Sequence, residues 1–110
     1  MNTTDFAATV HRDGDAATLE LVGEISGVAE EGLQEAYAQA GDARTVHLDF
    51  AAVDYINSTG IALIVGILAA ARKSGQSVEA SGLAEHYREI FRITRLSDFM
   101  TIVDGGEGER

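Results

Sequence analysis

Asp54-Tyr55-Ile56-Asn57-Ser58-Thr59-Gly60-Ile61-Ala62-Leu63-Ile64-Val65-Gly66 joins an apolar, strand-like run, Val46 to Phe50, to a helix and puts Ser58 at the junction. A buried strand feeding directly into a helix is the mark of an α/β unit. A serine at such a junction has two possible roles. Its hydroxyl can cap the free N–H groups of the first helical turn, or it can stand exposed beside the positive end of the helix dipole. Asn57 is an equally good N-cap residue, and if it caps, Ser58 enters the first turn with its hydroxyl free. A phosphate there would be tolerated by the fold, because unpaired amides and the dipole favour negative charge.

Working outward, Thr45 to Phe50 predicts a central strand with little room for polar residues. The helix after it should run from about Ser58 to Lys73, with Arg72 and Lys73 complementing its C-terminal dipole and Gly75 as the stop. It is apolar on nearly every side, which predicts burial on more than one flank. Upstream, Phe6-Ala8-Val10 and Ala17-Leu19-Leu21 alternate with polar or small residues around Arg12-Asp13-Gly14-Asp15. This predicts an antiparallel hairpin whose second strand ends at Gly23. Ala29, Leu33, Ala36, Tyr37 and Ala40 recur at helical spacing, with Glu30, Glu31 and Glu35 on the other side. Downstream, Ser77–Ser81 predicts a short strand, Leu83 to Arg95 a third helix, and Met100 to Val103 a last strand. The order β-β-α-β-α-β-α-β implies right-handed crossovers onto a mixed sheet with helices packed mainly on one face. One domain is expected over residues 1–104, with 105–110 a flexible acidic tail.

Composition narrows the function. The 110 residues carry 18 acidic and 8 basic groups, a net charge of −10, which repels phosphate backbones and argues against nucleic-acid binding. There is no cysteine, so disulfides and thiolate chemistry are excluded. The opening Met1-Asn2-Thr3-Thr4-Asp5-Phe6 has no basic or apolar character, so no secretory signal is expected. The longest apolar run, Gly60 to Ala71, is roughly half of the ~20 residues a bilayer span needs, so no membrane insertion is expected and a cytoplasmic location is.

Enzymatic constellations are weak. The strand-to-helix serine has Gly60 in one of the two places a nucleophile elbow wants glycine, but Ile56 in the other. His11, His47 and His86 are scattered, without metal spacing, and His47 reads as a packed or hydrogen-bonded core residue. No Gly-x-x-x-x-Gly-Lys phosphate loop occurs, and no cofactor or metal is expected. Arg88, Arg92 and Arg95 follow helical spacing, which reads either as a solvated face balanced by Glu85 and Glu89 or as a partner-contact stripe.

With these residues in view, Val46-His47-Leu48-Asp49-Phe50 followed by Ala51-Ala52-Val53-Asp54-Tyr55-Ile56-Asn57-Ser58-Thr59-Gly60-Ile61 resembles the signature of the STAS domain, particularly of stand-alone anti-sigma factor antagonists. Gly23-Glu24-Ile25-Ser26 is similar to the family's Gly-Glu-Leu-Asp, and Leu83 to Leu96 with Phe99 resembles its last core helix and closing strand. The resemblance implies a binding module, not an enzyme. Its partners would be an anti-sigma factor that is also an ATP-binding serine kinase and a PP2C-type phosphatase, which add and remove a phosphate on Ser58. The contact surface would comprise Gly23, Glu24, Ile25 and Ser26 with Asn57, Ser58, Thr59, Gly60 and Ile61. Asn57 and Ser26 stand where the family commonly has aspartate, keeping size and hydrogen bonding but not charge. The alternative is a STAS protein that is never phosphorylated, serving as a scaffold or as an accessory partner of a signalling complex or transport ATPase. Under that alternative Ser58 is only a cap.

Overall fold

The computed structural model describes residues 5 to 103. Its elements are β1 (Ala7–Asp13), β2 (Ala16–Ile25), α1 (Glu30–Ala40), β3 (Thr45–Ile56), α2 (Ser58–Lys73), β4 (Ser77–Ser81), α3 (Glu85–Ile93) and β5 (Thr101–Val103). Single 3-10 turns, Gly27–Ala29 and Leu96–Phe99, precede α1 and β5. The five-stranded sheet has the order β1-β2-β3-β4-β5, antiparallel at β1/β2 and parallel elsewhere. Three successive right-handed crossovers stepping in one direction place α1, α2 and α3 on the same face. The expected α/β fold with a mixed sheet and helices on one side is therefore the fold found.

Alternation assigns the two faces. Leu19 and Leu21 of β2, Val46, Leu48 and Phe50 of β3 and Val78 and Ala80 of β4 are buried towards the helices. Leu33 from α1, Ile64 and Leu68 from α2 and Phe91 from α3 close over them. Phe91 is fully buried and meets Phe50 edge-on, with ring centroids 6.4 Å apart. The opposite face carries Thr18, Glu20, His47, Asp49, Glu79 and Ser81. His47 is hydrogen-bonded as expected, but on this open face and not in the core. Its Nδ1 lies 3.0 Å from Glu79 Oε1 and its Nε2 2.7 Å from Ser81 Oγ.

Four expectations are corrected. β2 does not stop at Gly23. It continues to Ile25, with Gly23 at φ 90°, a conformation that favours glycine, and the adjacent register shift leaves Asp54 as an extra residue in β3 between the pairs Gly23↔Val53 and Glu24↔Tyr55. β3 likewise runs on past Phe50 to Ile56, because the extended β2 supplies a parallel partner as far as Ile25↔Ile56. α2 is buried on one flank only, through Gly60, Ile64, Ile67, Leu68 and Ala71, because no further layer covers it. Ala62, Val65, Gly66 and Ala69 face outwards. Finally α3 ends at Ile93, where Thr94 Oγ1 donates to the Ile90 carbonyl and Arg95 turns to φ 69°. Arg88, Arg92 and Arg95 therefore do not share a helix face. Arg92 pairs with Glu89, which raises its pKa through a hydrogen bond and its charge, and Arg95 pairs with Asp98. The expected tail, 105–110, lies outside the described residues.

Phe91→Ala should remove the ring that caps the upper half of β3 and leave a cavity. Chemical denaturation should show a loss of about 3–5 kcal/mol.

Candidate functional site

The junction between β3 and α2 is built by hydrogen bonds from one backbone carbonyl and one side chain. The Ile25 carbonyl, at the end of β2, accepts the Asn57 N–H at 3.2 Å. Asn57 is extended (φ −94°, ψ −177°), and its side-chain Oδ1 accepts the Gly60 N–H at 2.8 Å. Its own carbonyl accepts the Ile61 N–H at 2.9 Å, opening the helix. Asn57 is thus the N-cap, and Ser58 is the first helical residue. The amides of Ser58 and Thr59 remain as first-turn donors without an intrahelical acceptor.

Gly60 is required by packing. A Cβ at this position would stand 2.0 Å from the Ile25 carbonyl oxygen, so the helix reaches the strand only because no side chain intervenes. A second support comes from α3. The Ile56 N–H donates to the Tyr87 hydroxyl at 2.9 Å, fixing the residue immediately before the cap. β2, β3, α2 and α3 therefore meet at one turn, and its exposed product is the Ser58 side chain.

The residues singled out by the resemblance are distributed unequally. Gly23, Ile25 and Gly60 are buried and shape the site from behind. Ser58 and Thr59 are exposed, and Ser26, Asn57 and Ile61 are half-buried around them. The 3-10 turn after Ser26 lies against the start of α2, since a Cβ on Gly27 would be 3.7 Å from Thr59 Cγ2. Ser26 makes no side-chain capping bond, and its carbonyl accepts the Ala29 N–H at 2.9 Å. Glu24 stands opposite Tyr55 in the parallel register, on the open face of the sheet. Among the described residues no group of three histidine, aspartate or glutamate side chains gathers to hold a metal ion.

This strand–cap–helix arrangement has a family counterpart. The family model described as "Mlab, STAS domain" matches residues 8–104. The chain belongs to the STAS domain family. Among its relatives, an anti-sigma-B factor antagonist of Staphylococcus epidermidis is 38% identical over 64 residues, 58% of this chain and 59% of that protein. The chain thus spans about three fifths of the length of such curated relatives. The STAS fold is shared with the anti-sigma factor antagonist SpoIIAA in its unphosphorylated form, with a TM-score of 0.72 and 17% identity over 89% of this chain and 88% of that one. The phosphorylated form of SpoIIAA from Bacillus gives a TM-score of 0.70 and 18% identity over 89% and 92%. Identities this low speak for the fold alone. No described helix of this STAS domain is long and apolar enough to cross a membrane.

Two contributors escaped the sequence. Tyr87 reaches Ile56 from an element 31 residues away, and nothing in Glu85-His86-Tyr87 distinguishes a packed tyrosine from one bonded to backbone. Val28, 83% exposed at the border of the site, is an apolar side chain without cover. Its place between Gly27 and Ala29 was the available signal.

The cap assignment is measurable. Asn57→Ala should cost about 1 kcal/mol, within the 0.5–2 kcal/mol of lost N-caps, whereas Ser58→Ala should stay within about 0.5 kcal/mol of the parent. Equal losses in a pair of urea titrations would contradict it.

Proposed function

We propose that this STAS domain is an anti-sigma factor antagonist whose partner binding is controlled by phosphorylation of Ser58. The observation that carries this reading is the division of labour at the helix start. Asn57 satisfies the capping requirement, so Ser58 is not needed to hold the helix and presents an exposed hydroxyl beside the dipole's positive end. The likeness to anti-sigma-B factor antagonists supports the same reading.

The chemistry follows from that position. A kinase transfers the γ-phosphoryl group of ATP to Ser58 Oγ, which loses its proton, and ADP departs. The product carries about −1.5 to −2 charges, which the free first-turn amides and the helix dipole accommodate without unfolding. A partner seated over Thr59 and Ile61 would have to desolvate that dianion, so the complex loses affinity while the fold persists. Hydrolysis by a PP2C-type phosphatase restores the hydroxyl. The chain is then a substrate and binding module acting in the cytoplasm, and its partner is an anti-sigma factor with serine-kinase activity.

A second reading is favoured by the missing carboxylates at Ser26 and Asn57: a STAS scaffold, or an accessory partner of a signalling complex or transport ATPase, with no phosphate cycle. One experiment separates the two. Incubation with the cognate kinase and ATP should add one phosphate, mapped to Ser58 by peptide mass, and Ser58→Ala should abolish it. Phosphate appearing only at another residue, or stable partner capture with no phosphate on Ser58, would overturn the switch.

A further inference from the structure

The exposed flank of α2 is the wall of a groove. Between α1 and α2 runs a depression of about 290 Å³, with Leu33 and Ile67 in its floor and Tyr37, Ala62, Leu63 and Gly66 along its sides. It follows both helices for about two turns, from Glu30 to Tyr37 and from Ala62 to Ala70, or roughly 10–12 Å at 1.5 Å per residue. Nothing lies within 4 Å of where a Cβ on Gly66 would be, so the groove is open at its middle. Its upper mouth is one helical turn from Ser58, which is placed four residues before Ala62 on the same side of α2.

The charge around it has one sign. α1 carries Glu30, Glu31 and Glu35 and neither lysine nor arginine. α2 has no charged residue before Arg72, at the far end of the helix. Glu30 stands on the groove's rim, hydrogen-bonded to Gln34. A second copy of this chain, at net charge −10, would bring the same acidic rim against itself. A helix with an apolar ridge and lysine or arginine beside it meets both the apolar walls and the carboxylates.

We infer that the groove between α1 and α2 docks a basic amphipathic helix of the protein partner, two turns of whose apolar ridge lie against Ala62, Leu63 and Gly66. The inference rests on the antagonist reading for the partner's existence and extends the contact surface beyond the residues around Ser58. It also assigns a place to the switch. A phosphate on Ser58 would occupy the mouth through which that helix closes onto α2.

The probe is a designed 16-residue peptide with leucines at helical spacing and lysines elsewhere, titrated into the 15N-labelled full chain. A counterpart with glutamate in place of lysine serves as control. The lysine peptide should shift the amides of Leu33, Tyr37, Ala62 and Gly66, and the glutamate peptide should not. Gly66→Leu, whose side chain enters open space, should keep the parent's thermal melting temperature or raise it while weakening the peptide at least tenfold. Glu30→Lys combined with Glu31→Lys should weaken it similarly, and Thr18→Ala, on the open sheet face, should leave it unchanged. Equal binding of both peptides, shifts confined to the open sheet face, or no effect of Gly66→Leu would overturn the inference. So would a concentration-dependent dimer abolished by Gly66→Leu, which would assign the groove to a second copy. Phosphate transfer to Ser58, read by mass without peptide, stands or falls separately.

Discussion

The Ile25 carbonyl is the point on which the rest of the upper end depends. It receives the Asn57 N–H and lies against the Cα of Gly60, so the last residue of β2 sets both the direction and the depth at which α2 begins. A carbonyl at the end of a strand needs a donor when it is covered. Here the cap residue of the following helix supplies it, across a parallel strand pair. That contact is available only because β2 and β3 are paired as far as Ile25 and Ile56. The long strands, the glycine in the first turn and the asparagine cap are thus consequences of one requirement.

The two ends of the sheet are finished differently. At the lower end, polar side chains bind the open carbonyls. Arg12 Nη1 donates to the Ala40 carbonyl and its Nε and Nη2 to Gly14, while Gln76 Nε2 donates to the Gly41 and Ala43 carbonyls. At the upper end the helix N-termini are only partly served by their own chain, and the acidic residues of the Gly23–Ala40 segment lie nearby in sequence without a basic counterpart. One end is closed by internal hydrogen bonds, and the other has donors, carboxylates and apolar side chains facing solvent. The asymmetry leaves contacts unmade at the end that carries Ser58 and made at the other.

Much of the fold was legible in the residues. Alternation in Ala17-Leu19-Leu21 and the apolar run Val46 to Phe50 mark strands that must be buried on one face, and the helix periods of α1 and α2 leave little choice of partner. The errors have a common cause. Gly23 reads as a strand end because a glycine interrupts alternation, yet at φ 90° it lets the strand continue beside a register shift. Residues Ala51 to Tyr55 do not alternate cleanly because β3 carries one extra residue at each of its two register shifts against β2, which puts its side chains out of step. The apolar composition of α2 suggested enclosure, but composition does not reveal whether a second layer exists to provide it. Arg95 extends the helical spacing of Arg88 and Arg92 on paper, but the chain has already left the helix.

The residues by themselves determined that a serine stands at a strand-to-helix junction, that the order of elements is β-β-α-β-α-β-α-β, and that the surface is acidic. These follow from side-chain chemistry and periodicity, which are local. Which of Asn57 and Ser58 caps the helix was undecided by residue type, because both are strong caps. The tertiary structure decided it, since the Ile25 carbonyl holds the Asn57 amide and turns its side chain to Gly60. The Tyr87 bond to Ile56, the open groove over Gly66 and the one-sided burial of α2 were decided at the same level. They depend on which elements approach one another in space, a property that no stretch of this chain encodes alone.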